Sequence, residues 1–185
     1  MVTPDPAAHP GRWRRALRVL VVVIVVLLGF AVWYRWHYAM RPARSFELPG
    51  SAAGPRVLIA TQGSAFKDAL VAGLVEHLKS RAAHTKVIDV TALAGVREAD
   101  WDAIVILHTW EMHKPPAAVQ SFVDTAPDRR KLVVLTTSGA GDFRMPDVDA
   151  ISSASRMIDV PTRVQELDRL LDARLDARSG ASAAP

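Results

Sequence analysis

The 185-residue sequence contains no cysteine. Disulfide bonds, thiolate metal sites and cysteine nucleophiles are therefore excluded. The absence does not fix the compartment, because a protein without thiols is insensitive to redox poise. Half of the residues are hydrophobic, so the chain is able to bury a core of ordinary size.

Acidic residues are nearly missing from the N-terminal quarter of the chain. Seven arginines and one acid, Asp5, precede Phe46, which gives this part a net charge of +6. From Phe46 onward, 16 basic and 18 acidic residues give a net charge of −2. The remaining chain is thus mildly acidic, which argues against a nucleic-acid partner, since such a partner requires a basic face.

Charge is absent altogether from residues 19–34, VLVVVIVVLLGFAVWY. As a helix this run covers roughly 24 Å, and the stem of Arg18 extends it toward the 30 Å or so of a hydrocarbon core. Aromatic rings, which favour the headgroup level, cluster at its far end. We therefore predict a basic segment over residues 1–15 and a helix over residues 16–38 that spans a lipid bilayer once.

Two other interpretations of this run are less consistent with its residues. A buried core helix would be interrupted by polar side chains, and a cleaved signal peptide needs small residues shortly after the apolar run. Bulky aromatics follow here instead, which favours an uncleaved anchor. Four arginines precede the helix and three follow it, a bias of one residue that favours an inside N-terminus and a domain outside the cytoplasm.

Short runs rich in β-branched residues alternate with helical stripes after the anchor. We predict a linker over residues 39–54, a domain over residues 55–178 and a disordered tail over residues 179–185. Alternation of strands and helices indicates an α/β fold with a mostly parallel sheet, and such sheets bind ligands at the carboxyl ends of their strands. The predicted strands are residues 56–60, 85–90, 102–109, 131–139 and 148–152, and the predicted helices are residues 64–82, 115–126 and 161–178.

Three segments resemble those of the flavodoxin-like family. They are the turn after the first strand, TQGSAF, the third strand, WDAIVILHT, and the fourth strand with the loop after it, KLVVLTTSGAG. The resemblance runs from about Arg56 to Leu175. It implies a three-layer fold with an open parallel sheet of strand order 2-1-3-4-5, trimmed because residues 138–147 leave little room for a crossover helix. It also implies FMN as cofactor, electron transfer as function and a redox or protein partner that the sequence does not name.

The same resemblance assigns the cofactor contacts to three loops. The phosphate is expected at the turn formed by Thr61, Gln62, Gly63, Ser64, Ala65 and Phe66. The flavin ring is expected between Thr109, Trp110, Glu111 and Met112 on one side and Ser138, Gly139, Ala140, Gly141 and Asp142 on the other.

The sequence departs from the family pattern in this turn, where Ala65 and Phe66 stand in place of a further hydroxyl. Ser64 is equally well explained as a helix N-cap, and Trp110 as a loop aromatic packed on nearby prolines. Because a fold does not dictate a function, a second hypothesis stands beside the first. In it, a flavin-free domain of this fold acts as a membrane-tethered module that binds a partner or ligand.

No catalytic residue or metal site is predicted from the sequence. His108, Glu111 and His113 are spaced like a ligand set, but they lie in a loop and no further ligand is evident nearby. The serines of residues 152–155 lack the glycines of a nucleophile elbow. Whether the protein is an enzyme stays open at this stage.

Overall fold

The computed structural model describes residues 10–38, 41–111 and 114–182. The chain divides into two compact units, Met1–Ala39 and Met40–Pro185.

The N-terminal unit contains helix α1, Pro10–Tyr38. It begins six residues before the predicted start, at a proline whose fixed φ suits the first helical turn. Its stretch Trp13–Trp33 is long and apolar enough to cross a membrane, by length and composition. The side chains of this stretch are exposed, so it contributes no core of its own.

The C-terminal unit contains one six-stranded sheet in the order β1-β3-β2-β4-β5-β6. Strand β1 is antiparallel to β3, and the other neighbours are parallel. The strands are β1 (Phe46–Leu48), β2 (Arg56–Thr61), β3 (His84–Asp89), β4 (Ala103–Thr109), β5 (Leu132–Thr137) and β6 (Asp149–Ser153), and the helices are α2 (Ala65–Ser80), α3 (Ala117–Thr125) and α4 (Val160–Ser182).

Strands β2 to β6 confirm the predicted order 2-1-3-4-5, with each end within two residues of its expected position. No helix lies between β5 and β6 among the described residues, so the trimmed crossover is also confirmed. Helices α2 and α4 cover one face of the sheet, where Leu70 and Leu167 are fully buried. Helix α3 covers the other face with the 3₁₀ turn Val90–Gly95, so the parallel strands are buried on both sides.

Two expected boundaries were wrong. The predicted linker contains β1, which pairs with β3 through Phe46 opposite Val87. Three residues are too few to show a strand periodicity, and their partner lies about forty positions away. Helix α4 continues to Ser182, into the predicted disordered tail. Ala181 favours a helix, and Gly180 alone weakens it by only about 1 kcal/mol.

Candidate functional site

The turn predicted to hold a phosphate, residues 61–66, connects β2 to α2. Ser64 is the N-cap of α2, and its hydroxyl accepts a hydrogen bond from the Lys67 amide at 3.3 Å. Thr61 is buried, and its hydroxyl donates to the Gln62 carbonyl at 3.2 Å. In the first turn of α2, Phe66 packs in the core, while Ala65 is exposed. The hydroxyls of this turn therefore already have partners within the chain.

A segment of the former linker crosses this turn. We call residues 41–43 the strap. The Gly63 amide donates to the Arg41 carbonyl at 2.8 Å, and the Ala43 amide donates to a carboxylate oxygen of Asp89 at 2.7 Å. A Cβ atom on Gly63 would lie only 2.6 Å from the Arg41 carbonyl oxygen. The close approach that glycine permits is thus used by the protein's own backbone.

Asp89 fixes the strap at the end of β3. Its carboxylate also accepts hydrogen bonds from the amide and hydroxyl of Thr91, at 2.9 and 2.7 Å. Burial of Asp89 opposes its ionisation, but the bonds from Thr91 and Ala43 together hold its pKa below the usual value. The strap is therefore bound through a charged acceptor, which makes its hydrogen bond stronger than one between neutral groups.

Gln62 joins the first predicted loop to the second. Its side-chain oxygen accepts a hydrogen bond from the Thr109 amide at 2.6 Å, and its amide nitrogen donates to Glu111 at 3.4 Å. The structure thus brings together residues that the sequence assigned to separate parts of a cofactor site. Both polar ends of the Gln62 side chain are used in holding the two loops.

Lys67 lies in the first turn of α2, and it is 1 % exposed. Its ammonium group donates to the Thr109 hydroxyl at 2.6 Å, and that hydroxyl lies 2.9 Å from the Thr137 hydroxyl. Burial lowers the pKa of Lys67 to about 8, although the charges of Glu111 and Asp68 act in the opposite direction. Lys67 therefore carries its charge beneath the loops and not on their surface.

His108 lies within β4 and is fully buried. Its Nε2 atom is 3.0 Å from the Thr136 hydroxyl on the neighbouring strand. Burial lowers the pKa of His108 to about 4; a contact with the Thr109 carbonyl opposes this change and the charge of Lys67 adds to it. The imidazole is neutral at pH 7 and holds β4 to β5.

The tryptophan predicted to stack on a flavin stacks on Phe143 instead. The two rings are parallel, with an interplanar angle of 1° and centroids 5.4 Å apart. The Trp110 amide donates to the Thr137 carbonyl at 2.7 Å, which fixes the backbone beneath the ring. Among the described residues, the buried Trp110 indole N–H has no acceptor. Sequence reasoning missed Phe143, although it directly follows the loop assigned to the ring.

The third predicted loop, residues 138–142, is closed on itself. The Ser138 hydroxyl donates to Asp142 at 3.3 Å and accepts from the Gly141 amide at 2.8 Å. Gly141 has a φ of +75°, and a Cβ atom there would lie 2.8 Å from the Ala154 nitrogen. Gly139 and Ala140 are exposed. This loop therefore packs on the segment after β6 and turns its polar groups inward.

The arrangement does not fit FMN as the sequence predicted. A phosphate would compete with the strap for the Gly63 amide, and a flavin ring would compete with Phe143 for the face of Trp110. Of the residues assigned to the cofactor, Met112 lies outside the described residues. Several of the remaining ones bond one another, as Gln62 does with Thr109 and Glu111.

No known family model matches the sequence, and no curated protein is detectably similar to it. Solved structures with a similar arrangement include an oxidoreductase from Corynebacterium diphtheriae, with a TM-score of 0.46 and 12 % identity over 68 % of this chain and 99 % of that one. A flavo di-iron protein from Thermotoga maritima has a TM-score of 0.47 and 14 % identity over 69 % of this chain. This chain spans 37 % of the length of that protein.

A sensor protein from Polaromonas gives a TM-score of 0.44 and 16 % identity over 65 % of this chain and 98 % of that one. Similarities of this size carry no argument about activity. The fold assignment rests on the strand order and the two covered faces of the sheet. The fold is flavodoxin-like.

Lys67 makes the stability of this site dependent on pH. Its pKa falls from 10.5 to about 8 on folding. Between these values the unfolded chain holds a proton that the folded chain has lost, so stability rises with pH in this window. We expect the free energy of unfolding to increase by about 2–3 kcal/mol from pH 7.5 to pH 10.5, relative to the Lys67→Met variant.

Chemical denaturation of the detergent-solubilised chain, followed by circular dichroism, measures this difference. Lys79→Met is the matched control, because Lys79 lies on the same helix and its side chain is 58 % exposed. Lys67→Met should also be the more stable protein at pH 7, since it removes a buried charge. Parallel pH profiles for the unmodified chain and Lys67→Met would show that the ammonium group is not buried.

Proposed function

We propose that this protein is a membrane-anchored domain of flavodoxin-like fold that works without a flavin, as a binding module at the membrane. The observation that carries the proposal is the hydrogen bond from the Gly63 amide to the Arg41 carbonyl, 2.8 Å long. It places the backbone of the strap against the one glycine of the turn that a phosphate would need.

The cost of exchanging the strap for a phosphate supports this proposal. A phosphate at Gly63 would break the Arg41 bond and loosen the neighbouring Ala43–Asp89 bond. Hydrogen bonds to charged groups contribute about 1.5–3 kcal/mol each, so releasing the Asp89 bond is unfavourable. Lys67 offers little in return, because its ammonium group is buried against Thr109. The turn keeps the shape of a phosphate loop while its donors serve the fold.

The aromatic residues support the same conclusion. The stacked pair of Trp110 and Phe143 contributes about 0.5–1.5 kcal/mol beyond its buried area. A flavin would have to replace that contact before it gained any of its own. The Trp110–Phe143 pair therefore occupies the position expected for the flavin ring, as the strap occupies the position expected for the phosphate.

Helix α1 is the proposed anchor, with the N-terminus inside and the domain outside the cytoplasm. Its apolar stretch of 21 residues, Trp13–Trp33, covers roughly 31 Å, which matches a hydrocarbon core. In this arrangement the domain is held at the membrane surface. A partner that also lies in the membrane would then find it by diffusion in two dimensions.

A second candidate is the electron carrier expected from the resemblance, with the strap as a displaceable cover. The buried indole N–H of Trp110, which lacks an acceptor among the described residues, favours it, since an occupant would supply one. Under this alternative, FMN binds once the strap is released.

Fluorescence titration with FMN tests the flavin-free proposal. We expect the full-length chain in detergent to leave FMN fluorescence and polarisation unchanged at protein concentrations on the order of tens of micromolar, because its turn and its tryptophan face are occupied. Riboflavin is the comparison ligand, since it lacks the phosphate. Quenching of FMN with riboflavin at least tenfold weaker would contradict the proposal, because it would show the turn holding a phosphate.

The Asp89→Ala variant separates the two candidates. It removes the acceptor of the Ala43 amide and loosens the strap, while the glycine of the turn is kept. We expect no FMN binding by this variant, because Phe143 still covers Trp110. Thr91→Ala is the control, since it removes a hydrogen bond to Asp89 and leaves the bond of the strap in place. Binding by Asp89→Ala alone would favour the electron carrier with a displaceable strap.

Membrane extraction tests the anchor. The full-length chain should stay in the membrane pellet through an alkaline carbonate wash. The double variant Ile24→Arg, Leu27→Arg should be released, because each charge near the helix centre costs about 2.5–3.5 kcal/mol on insertion. Release of a shortened form of the unmodified chain would indicate a cleaved signal peptide and refute the anchor.

A further inference from the structure

The large hydrophobic side chains exposed on the C-terminal unit are concentrated at one end. Among the residues whose exposure the structure describes, they are Phe46, Phe143, Met157 and Ile158. Ile158 is 84 % exposed and its neighbour Met157 is 56 % exposed. Single exposed hydrophobics are ordinary on soluble proteins, but an adjacent pair at the tip of a turn forms an apolar protrusion.

The sheet topology places all four at the carboxyl end of the parallel strands. Met157 and Ile158 lie in the turn Met157–Asp159, a few residues after β6 ends at Ser153. Phe143 stacks on Trp110, just past the end of β4. Phe46 lies opposite Val87, two residues before the end of β3.

The amino end of the sheet has the opposite character. A cavity of about 810 Å³ lies there, bordered by the residues before β4, β5 and β6 and by α4. Its charges are paired, for example Arg178 with Asp102 at 2.7 Å. Its lining includes Asp102, Asp128, Arg129, Lys131, Asp149 and Arg178. The exposed apolar surface of this unit therefore lies at the carboxyl end of the sheet and not at the amino end.

The chain itself also leads from the carboxyl end to the proposed anchor. Arg41 is held at this end by Gly63, and it follows Tyr38 by three residues in the sequence. Three extended residues span at most about 11 Å. The chain therefore enters the domain at the end of the sheet that carries the exposed Met157 and Ile158.

We propose that Met157 and Ile158 insert into the interfacial layer of the bilayer that holds the anchor, so that the domain docks with the carboxyl end of its sheet toward the lipid. This inference rests on the anchor of the proposed function. The segments at this end carry both signs of charge: Arg41, Arg44, Lys114 and Arg156 are basic, and Glu111, Asp142 and Asp159 are acidic. Docking is thus driven by apolar contact and depends little on the fraction of anionic lipid.

The absence of native cysteine makes a site-specific test direct, because one introduced cysteine carries the only spin label. The full-length Ile158→Cys variant is labelled with a nitroxide and reconstituted in phosphatidylcholine nanodiscs. Collision of the label with oxygen reports lipid, and collision with a nickel chelate reports water. Arg97→Cys is the control, since Arg97 is 81 % exposed and precedes β4, at the amino end of the sheet.

We expect the ratio of oxygen to nickel collisions to be several-fold higher at position 158 than at position 97, with little change when a third of the lipid is phosphatidylglycerol. Equal, water-like ratios at both positions in a chain that enters nanodiscs overturn the docking and leave the anchor intact. A chain that does not enter nanodiscs overturns the anchor and the docking together.

A second labelled variant separates docking from an effect of the label. Arg156→Cys places the nitroxide beside the apolar pair and leaves both side chains in place. In the otherwise unmodified chain, the ratio of oxygen to nickel collisions at position 156 should be higher than that at position 97. It should fall to the ratio of position 97 when Met157→Asp and Ile158→Asp are added. A ratio that the two aspartates leave unchanged overturns the assignment of this pair. Circular dichroism checks that each variant is folded.

Discussion

The hydrogen bond between the Gly63 amide and the Arg41 carbonyl constrains the end of the sheet that an open α/β domain otherwise offers to a ligand. Gly63 lies at the start of α2, where backbone amides and the helix dipole favour an anion. Here the acceptor is a carbonyl of the same chain. The strap that supplies this carbonyl also connects the domain to the apolar helix along the sequence.

The contacts of the neighbouring side chains are consistent with this closed turn. Lys67 extends under the loops to Thr109, and burial lowers its pKa to about 8. Gln62 uses both ends of its side chain to connect two loops, and Phe143 covers Trp110. Each of these contacts joins groups of the predicted cofactor site within the chain itself, as buried polar groups require.

The architecture could be predicted from the sequence because strands that are buried on both faces appear as short continuous apolar runs. The apolar runs of β2, β4 and β5 and the stripe of Leu70 and Leu74 are local patterns, and alternation then fixes a parallel sheet. The strap could not be predicted in this way. Its two hydrogen bonds join residues 22 and 46 positions apart, and β1 is three residues long. The residue types at the turn were compatible with a phosphate, and only the contacts of Gly63 and Lys67 separate the alternatives.

Amide hydrogen exchange at Gly63 tests the closure of the turn most directly. The detergent-solubilised full-length chain, labelled with ¹⁵N-glycine, gives a separate signal for each of its ten glycines. Gly139, which is exposed, serves as the reference within the same molecule. If the strap occupies the turn, the Gly63 amide exchanges far more slowly than that of Gly139, and added FMN changes neither rate. Exchange at Gly63 as fast as at Gly139, slowed when FMN is added, would show that the turn is open and holds a phosphate.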